Sequence, residues 1–312
     1  MSEPSQRAGA SPPPAPSTDA AISPLPREEY IEQAHLFTVL GERLRDNSPA
    51  QEILESVREE ILATTKLPMA IDFMLAELRH LGTFSTAMSR LEHYFTPFQS
   101  FVMGTAEDDR GRFDLRVALQ VLSREAAYRA EGASRQGLFL FQFEVLSRNR
   151  MGYDAGLDAV AKDPAYDEDW RNWILTVRRQ VGIVDLADLI FVRSAFYHDR
   201  RAAEQGDPGG AEASIAAATA EGFPPLFGRQ EGRIAWANRK KDPLLLFGAL
   251  HRQLGYPEAP RPQAENPEER LLPVLARRVE QLESRLKLVE EEQRGGIELE
   301  RFYGKPKDPA TE

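Results

Sequence analysis

Cysteine is absent from the 312 residues. Its absence removes disulfides, thiol catalysis, zinc fingers and Cys-ligated iron–sulfur clusters. Long uninterrupted hydrophobic runs are missing too. The apolar stretch Val181–Tyr197 holds Asp185, Asp188 and Arg193, and it is too short and too charged to span a bilayer. Excess positive charge is also lacking. Lys and Arg number 39 against 49 Asp and Glu, a net charge of −10, which argues against nucleic acid or an anionic membrane as the main partner. No G-x-G-x-x-G, no G-x-x-x-x-G-K-[ST] and no G-x-S-x-G occurs, so the common nucleotide-loop and serine-hydrolase fingerprints are excluded. The segment Met1–Ala21 lacks the apolar core of a secretory leader, Ser2 is not a myristoylation site, and the chain carries no prenylation box. A cytoplasmic location is the resulting expectation.

What is present points to helices. Apolar residues make up 42% and charged residues 28%, enough for a sizeable core. Apolar positions recur at helical spacing almost throughout. Arg27–Arg45 carries Tyr30, Ala34, Phe37, Leu40 and Leu44. Ser48-Pro49-Ala50-Gln51 has the form of a capping box and opens a helix with Ile53, Leu54, Val57 and Ile61. Pro68–Leu81 is a third helix stopped at Gly82, and a fourth covers about Thr86–Tyr94. Thr96-Pro97-Phe98-Gln99 repeats the cap signature, and Asp114 caps the helix to Ala130. Further helices are expected over Tyr153–Ala161, Asp167–Gln180, Arg229–Lys240 and Leu244–Leu254. On a helical wheel Val181–Tyr197 is apolar nearly all round, the mark of a buried helix, so it is expected to be the central helix around which an all-α multi-helix globular domain packs.

Two stretches are harder to read. In Gly137–Arg150, Phe139, Phe141, Phe143 and Val145 alternate as in a strand. The lack of a second strand to pair with, and the i,i+4 spacing of Glu144 and Arg148, favour a helix. Residues 201–222 are small and polar and are expected to be a flexible loop with one Ala-rich turn of helix. The domain organisation is then a disordered Pro-rich tail over 1–26, a helical domain over 27–257, a Pro-rich linker over 258–267, a coiled-coil helix over 268–294 and a tail over 295–312.

The most specific pattern lies near the C-terminus. Leu272, Val279 and Leu286 fall at heptad position a, and Leu275, Leu282 and Val289 at d. Position g holds Arg278 and Arg285, and position e holds Glu283 and Glu290. In a parallel pair g meets e of the next heptad, so Arg278 faces Glu283 and Arg285 faces Glu290. An antiparallel pair would oppose like charges. The pattern therefore selects a parallel homodimer. Its competitor is an amphipathic helix lying back on its own domain, because only about three heptads are present and Pro273 interrupts the first.

Candidate chemistry is sparse. Of five histidines, two close E-x-x-H units, Glu32/His35 and Glu77/His80. Di-iron carboxylate bundles use two such units and two further glutamates, and Glu60, Glu125 or Glu144 could complete the set. Wheel placement opposes this. Glu32 and His35 lie across from the Tyr30–Phe37–Leu44 stripe, and Glu77 and His80 lie at the edge of the Ile71–Met74–Leu78 stripe. Asp185 and Asp188, with Glu144, are the other acids in apolar settings, where a raised pKa would suit acid–base work. A helix start at Gly182 would instead place both aspartates in first turns, favoured by the dipole, with Arg193 or Arg148 as partners. The tryptophans read as core, and the clusters Arg200–Arg201, Arg239–Lys241 and Arg277–Arg278 as helix ends or solvated faces.

The runs LPMAI (67–71), HYFTPFQ (93–99), FQFEVLSRNRMGYDAG (141–156), RRQVGIVDLADL (178–189) and LGYPEAP (254–260) resemble a family of bacterial soluble proteins without an assigned activity, over about residues 27–262. The resemblance implies one cytoplasmic globular module and carries no site residues with it. The reading is an all-α domain followed by a short coiled coil, acting as a non-enzymatic scaffold or interaction protein without a cofactor. A metal-dependent oxidoreductase is the alternative.

Overall fold

The computed structural model describes residues 25–44, 49–108, 113–207 and 209–261. Among these the chain forms fourteen helices and no strand, and no helix is long and apolar enough to cross a membrane. The N-terminal half holds α1 (Arg27–Arg43), α2 (Ala50–Glu60), α3 (Leu67–Leu81), α4 (Phe84–Arg90), α5 (Pro97–Glu107) and α6 (Leu115–Ala130). α1 lies along α6. Thr38 and Ser123 share a hydrogen bond of 2.7 Å, and the Arg27 side chain reaches the Ala130 carbonyl at 3.1 Å.

Local chemistry sets the boundaries. The Thr96 hydroxyl accepts from the Gln99 N–H, and the Gln99 side chain accepts from the Thr96 N–H, closing a capping box. Asp114 accepts from Arg116 N–H at 2.7 Å and starts α6. Gly82, at φ 72°, closes α3 in the left-handed conformation that glycine tolerates. Two starts differ from the sequence expectation. α2 has Pro49 at its cap and no side-chain cap bond; Ser48 lies outside the described residues. α4 begins two residues earlier than expected, because its orphan N–H groups are capped from outside: the Glu107 carboxylate accepts from Phe84 and Ser85 N–H at 2.5 and 2.8 Å. A window read along the sequence does not contain that partner.

The central helix is α7 (Arg135–Arg148), followed by α8 (Tyr153–Ala161) and α9 (Glu168–Gln180). Every residue from Gly137 through Leu146 is buried, as expected of a helix with neighbours on all sides. The ambiguous stretch is thus helix through Arg148 and not strand, and the Glu144–Arg148 pair forms at 2.5 Å. Val181–Tyr197, the expected centre, is not one helix. Gly182 turns the chain at φ 83°. α10 (Leu186–Val192) is capped by Asp185, which accepts from Ala187 N–H at 3.0 Å. The chain breaks again at Arg193, and Ser194 caps α11 (Ala195–Glu204) through Tyr197 N–H. Two cap residues inside an apolar run outweigh its wheel pattern, and they leave Ile183 82% and Val192 51% exposed.

Residues 201–222 contain α12 (Gly210–Ala220), three turns rather than one. Alanine's helix propensity drives it, and Ser214 holds it to His198 of α11 at 2.9 Å. α13 (Arg229–Asn238) and α14 (Pro243–Leu254) complete the unit, which runs to Arg261. The first residues of the expected linker belong to it. Ala259 and Pro260 are buried, Arg124 donates to the Glu258 carbonyl at 2.6 Å, and Asn149 to the Pro260 carbonyl at 3.0 Å. The expected coiled-coil helix over 268–294 lies outside the described residues.

Gly232 on α13 marks the closest approach to the Ser194 break. A Cβ there would stand 2.1 Å from Ser194 Oγ and 2.8 Å from Phe196 Cβ. Gly232→Ala is expected to destabilise by about 1–3 kcal/mol through overpacking, measured by urea unfolding. Gly248→Ala on α14, where the nearest atom is the tip of Arg252 at 3.7 Å, should be neutral or stabilising.

Candidate functional site

A groove of about 570 Å³ lies between α9 and α10. Asp169, Asn172, Trp173, Thr176 and Gln180 form one wall; their spacing places them on one stripe of α9. Val184, Asp188, Leu189, Val192 and Arg193 form the other, and Gly222 and Phe223 close the end. The core of α9 faces away from the groove, with Trp170, Ile174 and Val177 buried. Trp173 serves both sides: it is buried, packs edge-on against Phe139 at 4.7 Å, and lines the groove.

The α10 wall is braced from behind. Arg239 pairs with Asp188 at 3.4 Å, and the Lys240 N–H donates to Asp185 at 2.7 Å. Arg239 also stacks on Trp236 at 3.5 Å from the ring centre, and Arg200 stacks on the same ring at 3.9 Å. These two arginines, which the sequence assigns to solvated clusters, are therefore packed against an indole. The closing segment is pinned by the Arg193 carbonyl, which accepts from both Leu226 and Phe227 N–H at 2.8 and 3.0 Å. Phe223 remains 64% exposed, and the Arg193 guanidinium rests 5.7 Å from its ring centre.

Arg193 stands out electrostatically. It makes no ion pair or side-chain hydrogen bond among the described residues, and its Nε is buried without an acceptor. Burial lowers its pKa, with the charge of Asp169 acting in the opposite direction. Asp185 and Asp188 do not use Arg193 as their partner: Asp185 accepts from backbone N–H groups and Asp188 pairs with Arg239.

The metal-type residues are not brought together. Among the described residues no group of three or more His, Asp and Glu is arranged to hold an ion. Glu32 and Glu77 are half-buried, and His35 and His80 are exposed. Glu77 pairs with Arg90 at 2.6 Å, and Glu60 pairs with Arg43 at 2.6 Å with His35 at 3.7 Å. Glu144 is held by Arg148. Glu125 is buried, but within a different constellation that sequence reasoning missed. Arg129 donates to Glu125 at 2.9 Å and to both oxygens of Asp163. Gln142 of α7 donates to both acids at 2.8 and 3.2 Å and accepts from the Tyr166 hydroxyl at 2.8 Å. Glu125 and Arg129 at i,i+4 were a visible signal; Asp163, on the turn after α8, was not. The self-association residues Leu272, Leu275, Arg278, Val279, Leu282, Glu283, Arg285, Leu286, Val289 and Glu290 lie outside the described residues.

No family model, no curated protein and no solved structure matches the chain.

Two buried carboxylates share one buried guanidinium, so the cluster carries excess negative charge unless one acid is protonated. Desolvation raises the Glu125 pKa against the pull of Arg129, and the charge of Asp163 raises it further. The fold thus favours the protonated Glu125. Its contribution is full below the ordinary carboxylate range and is lost as pH rises through the raised value. Glu125→Gln should flatten that loss. Asp163→Asn should cost about 3–5 kcal/mol, because it strips Arg129 of its two-oxygen partner. Urea midpoints measured from pH 4 to pH 8 check both, the window set by the usual glutamate value of about 4.3 and its upward shift.

Proposed function

We propose that the chain is a non-enzymatic helical interaction protein that self-associates as a parallel homodimer through Leu272–Glu290. The heptad charges carry this reading. Arg278 and Arg285 at g find Glu283 and Glu290 at e across a parallel seam, whereas an antiparallel seam opposes like charges. The helical unit is compatible with a binding role. Glu77, Glu60, Glu125 and Glu144, four of the acids that the oxidoreductase reading would use as ligands, are each held by an arginine, and among the described residues Glu32 is not. Exposed apolar surface at the α9–α10 groove also supports a binding role.

A charge exchange in the full chain tests the reading. Light scattering after size exclusion should give a dimer for the native sequence. Arg278→Glu should weaken dimerisation about tenfold, since each substitution turns two attractive contacts per dimer into repulsive ones. The double variant Arg278→Glu/Glu283→Arg should restore it. A monomer at all concentrations, or a double variant no better than the single one, contradicts the parallel seam.

A further inference from the structure

We propose that the groove between α9 and α10 binds an amphiphilic monoanion, an aliphatic carboxylate whose chain lies along the apolar walls and whose carboxylate meets the Arg193 guanidinium. The volume of about 570 Å³ falls within the range of about 300–1,000 Å³ typical of small-molecule sites. The walls supply Trp173, Val184, Leu189, Val192 and Phe223, which suit a flexible alkyl chain better than a polar metabolite. Apolar surface left open to water in this way gains free energy when a chain covers it.

The headgroup chemistry follows from one residue. A cation lining an apolar groove with its Nε buried and unpartnered is costly to maintain. The folds around it keep it there: its carbonyl anchors Leu226 and Phe227, and its guanidinium packs over Phe223. The other charges facing the groove are Asp169 and Asp188. Asp188 is engaged by Arg239 at 3.4 Å, so it does not compete for Arg193. Asp169 makes no ion pair with Arg193 and is partly exposed, which leaves the guanidinium free to take a carboxylate in the two-pronged geometry that arginine favours. A carboxylate there would accept from the outer N–H groups of the guanidinium, the buried Nε staying within the fold. The site is independent of the heptad and would operate in monomer or dimer.

Isothermal titration calorimetry on the full chain tests this, with decanoate, decanol and decyltrimethylammonium as probes. Decanoate is expected to bind saturably, one per chain, and about tenfold more tightly than decanol, the gain of a charge-assisted hydrogen-bonded contact. Arg193→Gln should remove that tenfold preference and leave decanol binding unchanged. Asp169→Asn should tighten decanoate, because it removes the nearby negative charge. Circular dichroism melting shows that both variants remain folded, and because they move affinity in opposite directions a general loss of structure cannot mimic the result. The proposal is overturned if decanoate does not saturate, if decanol or the ammonium probe binds as tightly as decanoate, or if Arg193→Gln leaves decanoate affinity unchanged. It is equally overturned if the groove proves to be occupied by a second copy, seen as a dimer abolished by Val192→Asp with the heptad intact.

Discussion

One guanidinium in the core, Arg129, is surrounded by Glu125, Asp163 and the amide of Gln142. The packing of α6, α7 and the turn after α8 depends on it. α7 is enclosed on every side, so its Gln142 cannot be satisfied by water and must find partners within the core. Those partners come from α6 and from the turn that follows α8, with Tyr166 closing the arrangement. The ion pairs join α6 to the turn after α8, and the Gln142 hydrogen bonds tie α7 to both. Such a cluster adds little net stability over a well-packed apolar core, but it makes Arg129 expensive to remove, because buried carboxylates would be left without a cation.

The same accounting of charge explains where binding can occur. Glu60 and Glu77, acids that the sequence offers as ligands, are held by arginines, and Arg200 and Arg239, which look solvated, are stacked on Trp236. Arg193, which lines the groove, has no ion pair among the described residues. Its position follows from the break in Val181–Tyr197. Because Asp185 and Ser194 cap two separate helices, the apolar run opens into a turn, a short helix and a second start. Ala187, Ile190 and Phe191 of α10 stay buried, while Leu189 and Val192 line the groove. The groove is a consequence of that interruption.

Much of the fold was legible in the sequence because its boundaries are set by local chemistry. Thr96-Pro97-Phe98-Gln99, Asp114, Asp167, Gly82 and Gly255 act within a few residues of themselves, and periodicity identified the helices between them. The failures share a different cause. α4 starts where it does because Glu107 caps it from another helix. Glu258–Arg261 look like a linker by composition, yet Arg124 and Asn149 hold their carbonyls. The central helix was misplaced because a wheel counts apolar positions and does not weigh a cap. Of the site, the apolar character of Leu189 and Val192 was visible. The state of Arg193 was not, because it depends on Arg239 taking Asp188 from a distant part of the chain.

The central claim is that the Arg129 cluster fixes the core around α7. Its most direct test is urea unfolding of the full chain carrying Arg129→Met, followed by far- and near-ultraviolet circular dichroism at neutral pH. Methionine matches the volume and removes the charge. The account predicts a loss of about 3–5 kcal/mol, with near-ultraviolet signal from the packed tryptophans and tyrosines weakened before helical signal is lost. A variant within about 0.5 kcal/mol of the native protein, the range of ordinary surface changes, would contradict it.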